Sequence, residues 1–212
     1  TGERDTGVRA NAIGILSRSY GVDVCHDELD AILTCRDGFV AVDLAGDEEG
    51  FPAALFSDHF KRIRDAGLHV TIHAGEADGP HSVWSAIKDL GAERIGHGFR
   101  SIEDPLLVEY LAKHGIGLES CPTSNLHISA VKNYASHPIK ALADQGVKFC
   151  LNTDDPGISA INLRHEYDIA APAVGLSREQ VHQSQLEGLN MAFLSSAEKA
   201  DLQLKITQRR AL

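Results

Sequence analysis

Three short stretches of this sequence place histidines and carboxylates directly after apolar runs. They are TIHAGE at 71–76, RIGHG at 94–98 and LNTDDP at 151–156. In the first stretch His73 is followed three residues later by Glu76, and in the third Asp154 and Asp155 are adjacent. Neutral imidazoles and carboxylates are usual ligands of a divalent metal such as zinc, and they also transfer protons in catalysis. The sequence therefore predicts a metal ion with proton-transferring groups beside it.

Each of these side chains has an ordinary structural interpretation when it is taken alone. A single histidine at a strand end is more often a hydrogen-bonded structural residue, and DDP resembles a turn before a proline. Together they are much harder to explain as structure. His73 and Asp154 are the predicted metal ligands, and His97 is placed to act on a water molecule. Glu76 is predicted to reach a substrate above the metal without being a ligand.

Six apolar runs of the sequence predict the strands that must position these residues. They are NAIGILS at 11–17, FVAVDLAG at 39–46, HVTIHAG at 69–75, RIGHG at 94–98, GIGLESC at 115–121 and VKFCLNT at 147–153. Nearly continuous apolar runs indicate parallel strands that are covered on both faces. Amphipathic segments at 51–66 and 104–113 predict helices between strands. Capping-box spacings at Ser177–Gln180 and Ser195–Glu198 predict two closing helices.

The polar groups follow the carboxyl ends of at least five of these strands. In a barrel those ends converge on one mouth, where the active sites of that fold lie. In an open doubly wound sheet only a few of them would meet at a switch point. The alternation of strands and helices, with this placement, predicts an α/β TIM (β/α)8 barrel.

Composition argues against two classes of partner. The formal net charge is −10, whereas nucleic acid selects basic patches. No apolar run approaches the roughly 18 residues that a membrane span needs. The four cysteines form no CxxC pair, which favours a reducing compartment, and we expect a cytoplasmic protein.

The motifs TIHAGE, RIGHG, SCPTSN and LNTDDP, in that order after DLAGDE, resemble the adenosine deaminase family of the amidohydrolase superfamily, in its bacterial form. The resemblance implies a zinc-dependent barrel that hydrolyses adenosine and deoxyadenosine to inosine and ammonia in purine salvage. It also implies one Zn²⁺ per complete enzyme and a small-molecule purine nucleoside as partner.

The resemblance assigns a role to six positions of this sequence. They are His73 and Asp154 as metal ligands, Glu76 as the acid that protonates purine N1, His97 as the residue that handles the catalytic water, Gly46 as a backbone contact to N3, and Asp155 as the partner of N7.

The sequence departs from the family pattern in one respect. The family has a further H-x-H pair of zinc ligands on its first strand, and none of the 11 histidines here forms one. We therefore expect a single metal-dependent deaminase barrel domain over 1–212 that has only the last six βα units and lacks the N-terminal two. We expect the isolated chain to be inactive, poor in metal and prone to self-association through unpaired barrel edges.

Other functions stay open from sequence alone. One is an aminohydrolase of adenine or of a modified adenosine, and another is an inactive truncated barrel fragment or a non-catalytic purine-binding module. Phosphotriesterase-like binuclear enzymes are less favoured, since they use a strand lysine that FVAVDLAG lacks.

Overall fold

Six parallel strands form one sheet in the order of the sequence. The computed structural model describes residues 6–210, so residues 1–5 and 211–212 of the predicted domain lie outside the described residues. The strands are β1 Ile13–Ser17, β2 Ala41–Ala45, β3 His69–Ala74, β4 Arg94–His97, β5 Gly117–Ser120 and β6 Phe149–Leu151. All six predicted strands and the α/β class are confirmed.

Helices connect the strands and close the chain. They are α1 Val22–Thr34, α2 Ser57–Asp65, α3 Pro80–Lys88, α4 Pro105–His114, α5 Pro122–His127, α6 Ile139–Asp144, α7 Pro156–Ser159, α8 Arg178–Met191 and α9 Ser196–Arg210. A further helical stretch over 163–173 contains a π-helical turn at Glu166–Ala170. The predicted segment 51–66 is a 3-10 turn, Ala53–Phe56, followed by α2.

Both predicted capping boxes are present at the closing helices. The amide of Gln180 donates to Oγ of Ser177 at 3.1 Å, and the amide of Ser177 donates back to the Gln180 side chain at 3.0 Å. The side chains of Ser195 and Glu198 make the same exchange before α9. These bonds satisfy amides that have no partner inside the helix, which is why the helices begin there.

The two faces of the sheet have different chemistry. Val70 and Ile72 of β3 are fully buried in the core that the sheet forms with the outer helices. Successive side chains of a strand point to opposite faces, so Thr71 and His73 lie on the other, concave face. There the hydroxyl of Thr71 donates to Glu119 of β5 at 2.8 Å. The concave face is therefore polar and holds the groups that could do chemistry.

The segment after α8 lies across the amino-terminal ends of the strands. The side chain of Asn11, just before β1, donates to the carbonyl of Phe193 at 3.5 Å. The ring of Phe193 stacks on His69 at 4.5 Å, and the guanidinium of Arg94 lies 3.9 Å from its centre. This packing covers one end of the sheet and leaves the carboxyl ends of the strands for the site. Among residues 6–210 no helix combines the length and the apolar character that crossing a membrane requires.

Candidate active site

Four of the predicted site residues meet at the carboxyl ends of the strands. His73 lies near the end of β3, His97 ends β4 and Asp154 follows β6. Potential ligand atoms of these three lie within 4.8 Å of one another. Oε1 of Glu76 is 3.2 Å from Nδ1 of His97, whose Nε2 is 3.9 Å from Oδ2 of Asp154. Residues that are distant in sequence thus form one cluster of imidazoles and carboxylates.

A cavity of about 600 Å³ opens above this cluster, and its wall includes His73, His97, Cys121 and Asp154. Sites for small molecules usually occupy about 300–1,000 Å³. The volume is therefore sufficient for a ligand of small-molecule size in contact with His73, His97 and Asp154, whereas Glu76 is not among the residues that line this cavity.

Two of the clustered residues have a left-handed backbone. The φ angle is 59° at His97 and 57° at Asp154. This conformation costs a residue other than glycine roughly 1–3 kcal/mol, and it is found most often where a site requires it. In both cases it directs a side chain toward the cavity at the point where the strand has ended.

The carboxylate of Asp43 lies against the imidazole and the backbone amide of His73. Nδ1 of His73 lies 2.7 Å from Oδ2 of Asp43, and the backbone amide of His73 donates to Oδ1 of Asp43 at 3.2 Å. Burial alone would lower the pKa of His73, but the nearby charge of Asp43, together with the charges of Glu119 and Asp154, outweighs it and raises the pKa to about 9. A metal ion at the other ring nitrogen would displace its proton, and a carboxylate beside Nδ1 makes that nitrogen a stronger ligand.

A buried carboxylate, Glu48, holds the loop that carries Glu76. It accepts hydrogen bonds from four consecutive backbone amides, and three of them measure 3.1, 2.9 and 3.0 Å; the donors are Gly75, Glu76, Ala77 and Asp78. Burial acts to raise the pKa of Glu48, but these amides and the hydroxyl of Ser82 together keep it below its ordinary value. The loop is therefore fixed by one side chain.

A buried arginine lies beside that carboxylate and contacts the strand that carries His73. Arg18 is fully buried, and its Nη2 donates to the carbonyls of Leu44 at 3.0 Å and of His73 at 2.7 Å. Burial lowers the pKa of Arg18, while the charges of Glu48 and Asp43 oppose that effect. The arginine thus joins the ends of β2 and β3 behind the site.

Glu76 and His97 have opposite pKa shifts. Burial, followed by the charge of Asp154, raises the pKa of Glu76 to about 7. Burial and the neighbouring His73 lower the pKa of His97. At neutral pH the site therefore combines a carboxylic acid able to give a proton with a neutral imidazole.

Helix α5 orients three members of the cluster. Ser124 donates through Oγ to Oδ2 of Asp154 at 2.7 Å. The carboxamide nitrogen of Asn125 lies 2.6 Å from Oε1 of Glu76 and 3.2 Å from Nδ1 of His97. Both residues belong to the SCPTSN motif, but their residue types and spacing alone do not predict these contacts.

Neither of the two predicted purine contacts lies on the cavity wall that the described residues form. Gly46 has a φ of 113°, and a Cβ placed there would lie 2.5 Å from Oγ of Ser19, so both conformation and space require glycine. The side chain of Asp155 is exposed and caps α7 by accepting from the amide of Ile158 at 3.5 Å. The roles of these two residues stay predictions.

The donors present suit a zinc ion. Imidazole nitrogen and carboxylate oxygen are its common ligands, and catalytic zinc sites usually have three protein ligands. His73, His97 and Asp154 are the donor set among the described residues, with Asp43 behind His73. The assignment of His97 to the water instead of the metal stays a prediction.

Comparison with known proteins gives one consistent result. The family model described as Adenosine deaminase matches residues 1–209. The adenosine deaminase of Vibrio parahaemolyticus serotype O3:K6 is 57% identical over 208 residues, which cover 98% of this chain and 62% of that protein. The adenosine deaminase of Escherichia coli O1:K1 / APEC is 54% identical over the same shares. The chain therefore spans about three fifths of the length of the curated relatives it matches.

Solved structures share the fold. The adenine deaminase of Arthrobacter aurescens superposes with a TM-score of 0.92 at 28% identity, covering 99% of this chain and 64% of that one. An amidohydrolase from Burkholderia ambifaria with bound Zn gives a TM-score of 0.84 at 25% identity, covering 95% and 57%. The six strands thus correspond to part of an amidohydrolase barrel, and the predicted fold class is confirmed.

Proposed function

Because the chain belongs to the adenosine deaminase family, we propose that it carries the proton-handling part of a zinc-dependent site for hydrolytic deamination. The proposed reaction converts adenosine or deoxyadenosine and water to inosine, or its deoxy form, and ammonia in purine salvage. The observation that carries the proposal is Glu76, whose pKa of about 7 and position beside His97 suit an acid for a purine ring.

His73 and Asp154 would hold the zinc ion. The metal supplies Lewis acidity, which makes water nucleophilic near neutral pH in such sites. The support comes from the donor set, from Asp43 behind His73, and from the bound Zn of the Burkholderia relative. We propose one Zn²⁺ per complete enzyme.

The chain's own residues then act on the purine ring. C6 of adenosine is a poor electrophile, and protonation of N1 by Glu76 draws electrons from the ring and opens C6 to attack. Asp154 and His97 lie 3.9 Å apart and would hold the attacking water and the hydroxyl that it becomes. Asp154 would pass a proton from the water to the departing amino group. In this proposal Gly46 and Asp155 contact N3 and N7.

The test measures ammonia release and loss of adenosine absorbance by two forms of the protein. One is this chain with added zinc, and the other is the chain extended by the part of the Vibrio parahaemolyticus relative that it does not match. We expect deamination and about one bound zinc by the extended form, and weak zinc binding by the chain alone. If neither form deaminates adenosine with zinc bound, the proposed function is wrong.

A second candidate function has an observation in its favour. The superposition with an adenine deaminase is close, at a TM-score of 0.92, so free adenine is the competing substrate. Parallel assays with adenosine, adenine and a modified adenosine would separate the two. A larger kcat/KM for adenine would replace adenosine in the proposal.

We also propose a cellular compartment and an association state for the chain. All four cysteines are free thiols, which supports a reducing compartment such as the cytoplasm. Within residues 6–210, β1 and β6 are the edge strands of the sheet, and unpaired edge strands support self-association of the chain alone. Size-exclusion chromatography of the chain and of the extended form would test this prediction, since only the chain alone should associate.

A further inference from the structure

One buried carboxamide connects the two side chains that handle protons in the site. Asn125 of α5 is fully buried. Its Nδ2 faces Oε1 of Glu76 and Nδ1 of His97, and its Oδ1 lies 3.1 Å from Nε2 of His137. The orientation of this carboxamide therefore decides which hydrogen atoms the neighbouring side chains can carry.

A backbone amide determines that orientation. The N–H of Ile139 donates to Nδ1 of His137 at 3.1 Å. A backbone N–H can only donate, so Nδ1 is the acceptor of a neutral imidazole and the hydrogen lies on Nε2. That hydrogen requires the oxygen of Asn125 opposite it. The reverse orientation would place two donors face to face, so the NH₂ group must point toward Glu76 and His97.

The protonation state that this argument needs is supported by burial. His137 is buried, and desolvation together with the nearby His97 lowers the pKa of His137 to about 4. It is therefore neutral at pH 7, with one hydrogen on the ring.

We propose that Asn125, oriented by His137, is a positioning residue that determines where Glu76 and His97 carry their hydrogen atoms. Its Nδ2 donates to Oε1 of Glu76 at 2.6 Å and lies 3.2 Å from Nδ1 of His97, which is also 3.2 Å from Oε1 of Glu76. The bond to Oε1 confines the acid hydrogen of Glu76 to Oε2. Because Nδ1 of His97 faces the NH₂ group of Asn125, we place the ring hydrogen of His97 on Nε2, the nitrogen nearest Asp154.

The consequence deepens the proposed function and rests on it. Glu76 gives the hydrogen on Oε2 to N1, and one hydrogen of the attacking water goes to Asp154. That hydrogen then goes to the amino group, which leaves as ammonia, and the hydroxyl hydrogen at C6 returns to Glu76. His97 already carries a hydrogen on Nε2, so it donates a hydrogen bond to the oxygen and does not act as the base.

Kinetics of three variants test the proposal in whichever form of the protein deaminates adenosine. The amide nitrogen of glutamine can replace Nε2 of histidine as a donor, whereas leucine cannot. We expect His137→Leu to lower kcat about tenfold with KM nearly unchanged, as for the loss of one oriented hydrogen bond. His137→Gln should have a kcat within about threefold of the unmodified protein. Asn125→Leu should lose about a hundredfold in kcat, since the contacts with both Glu76 and His97 are lost.

A matched control separates positioning from simple loss of packing. His59 is another buried histidine, and its Nε2 lies 3.1 Å from the carbonyl of Val22, outside the cavity wall. His59→Leu should lower the Tm as His137→Leu does but should leave kcat unchanged. Equal kcat values for folded His137→Leu and for the unmodified protein would overturn the proposal.

A spectroscopic measurement tests the same proposal without any activity. Nitrogen-15 spectra of the histidine rings of this chain at neutral pH report which ring nitrogen carries hydrogen. We expect Nε2–H for both His137 and His97, and we expect Asn125→Leu to remove that preference at His97. An Nδ1–H ring at His97 in the unmodified chain would refute the positioning role, whereas absent deamination with the expected spectra would refute only the proposed function.

Discussion

Replacing Glu48 by alanine should destabilise the chain far more than the loss of one side chain from a surface would. Glu48 is 4% exposed, and its carboxylate accepts hydrogen bonds from four consecutive backbone amides. Its negative charge also interacts with that of the fully buried Arg18. Each buried amide that is left without its acceptor costs about 1–3 kcal/mol, and water that enters the loop would solvate some of the freed amides. We therefore expect a total loss of about 3–5 kcal/mol in the free energy of unfolding.

The assay is urea unfolding of the 212-residue chain, which needs neither metal nor substrate. With a slope of about 2 kcal/mol/M, a loss of about 3–5 kcal/mol lowers the midpoint by about 1.5–2.5 M. Glu49→Ala is the matched control, because Glu49 is the adjacent and exposed carboxylate. Glu49→Ala should change the free energy of unfolding by no more than about 0.5 kcal/mol.

Hydrogen exchange and pH add independent readouts. Amides 75–78 should exchange much faster in Glu48→Ala, beyond the effect of global unfolding. The pKa of Glu48 in the folded chain lies below its ordinary value of 4.5. Its contribution is therefore present above pH 4.5 and is lost as pH falls through the folded pKa. Glu48→Ala should lack this part of the acid sensitivity, and a loss of less than about 1 kcal/mol with unchanged exchange at 75–78 would refute the reasoning.

Three further predictions concern the site and one histidine outside it. In the extended form of the protein, Glu76→Gln should retain zinc but lose about 10²–10⁴ in kcat, because an amide cannot give the acidic proton to N1; metal analysis with steady-state kinetics checks this. Asp154→Ala should lose zinc as well as rate, whereas Asp155→Asn should mainly raise KM, since the amide can still donate to N7; elemental analysis of both variants distinguishes them. Burial and the neighbouring His26 lower the pKa of His59, so its folded form resists protonation and stability should fall as pH drops below 6.5. His59→Gln should remove that part of the acid dependence in thermal unfolding followed from pH 7 to 5, and an unchanged acid dependence would contradict it.

Local patterns in the sequence were sufficient for the elements of the fold. Continuous apolar runs predicted all six strands, because strands covered on both faces have no polar alternation. Paired residues three positions apart predicted the starts of α8 and α9, because a capping box forms entirely within one turn. The cluster of His73, His97 and Asp154 was also accessible from sequence, since all parallel strands bring their carboxyl ends to the same side.

The supporting contacts of the site could not be read in the same way. Arg18 contacts the carbonyl of His73 over 55 positions, and Glu48 binds amides 27 to 30 positions away. Asn125 joins Glu76 and His97 over 49 and 28 positions. No periodicity links residues at such separations, because the curvature of the sheet and the packing of α5 against it decide which of them touch.

What the sequence determined by itself was the set of elements and the chemistry at their ends, since both depend on residue type and short spacing. Only the tertiary structure decided how each functional group is oriented. It holds His97 and Asp154 in a left-handed conformation that residues other than glycine adopt infrequently. It also raised the pKa of Glu76 and lowered that of His97 by burying them side by side. Orientation and burial arise from many distant residues packing at once, and that is why they are absent from any short stretch of the chain.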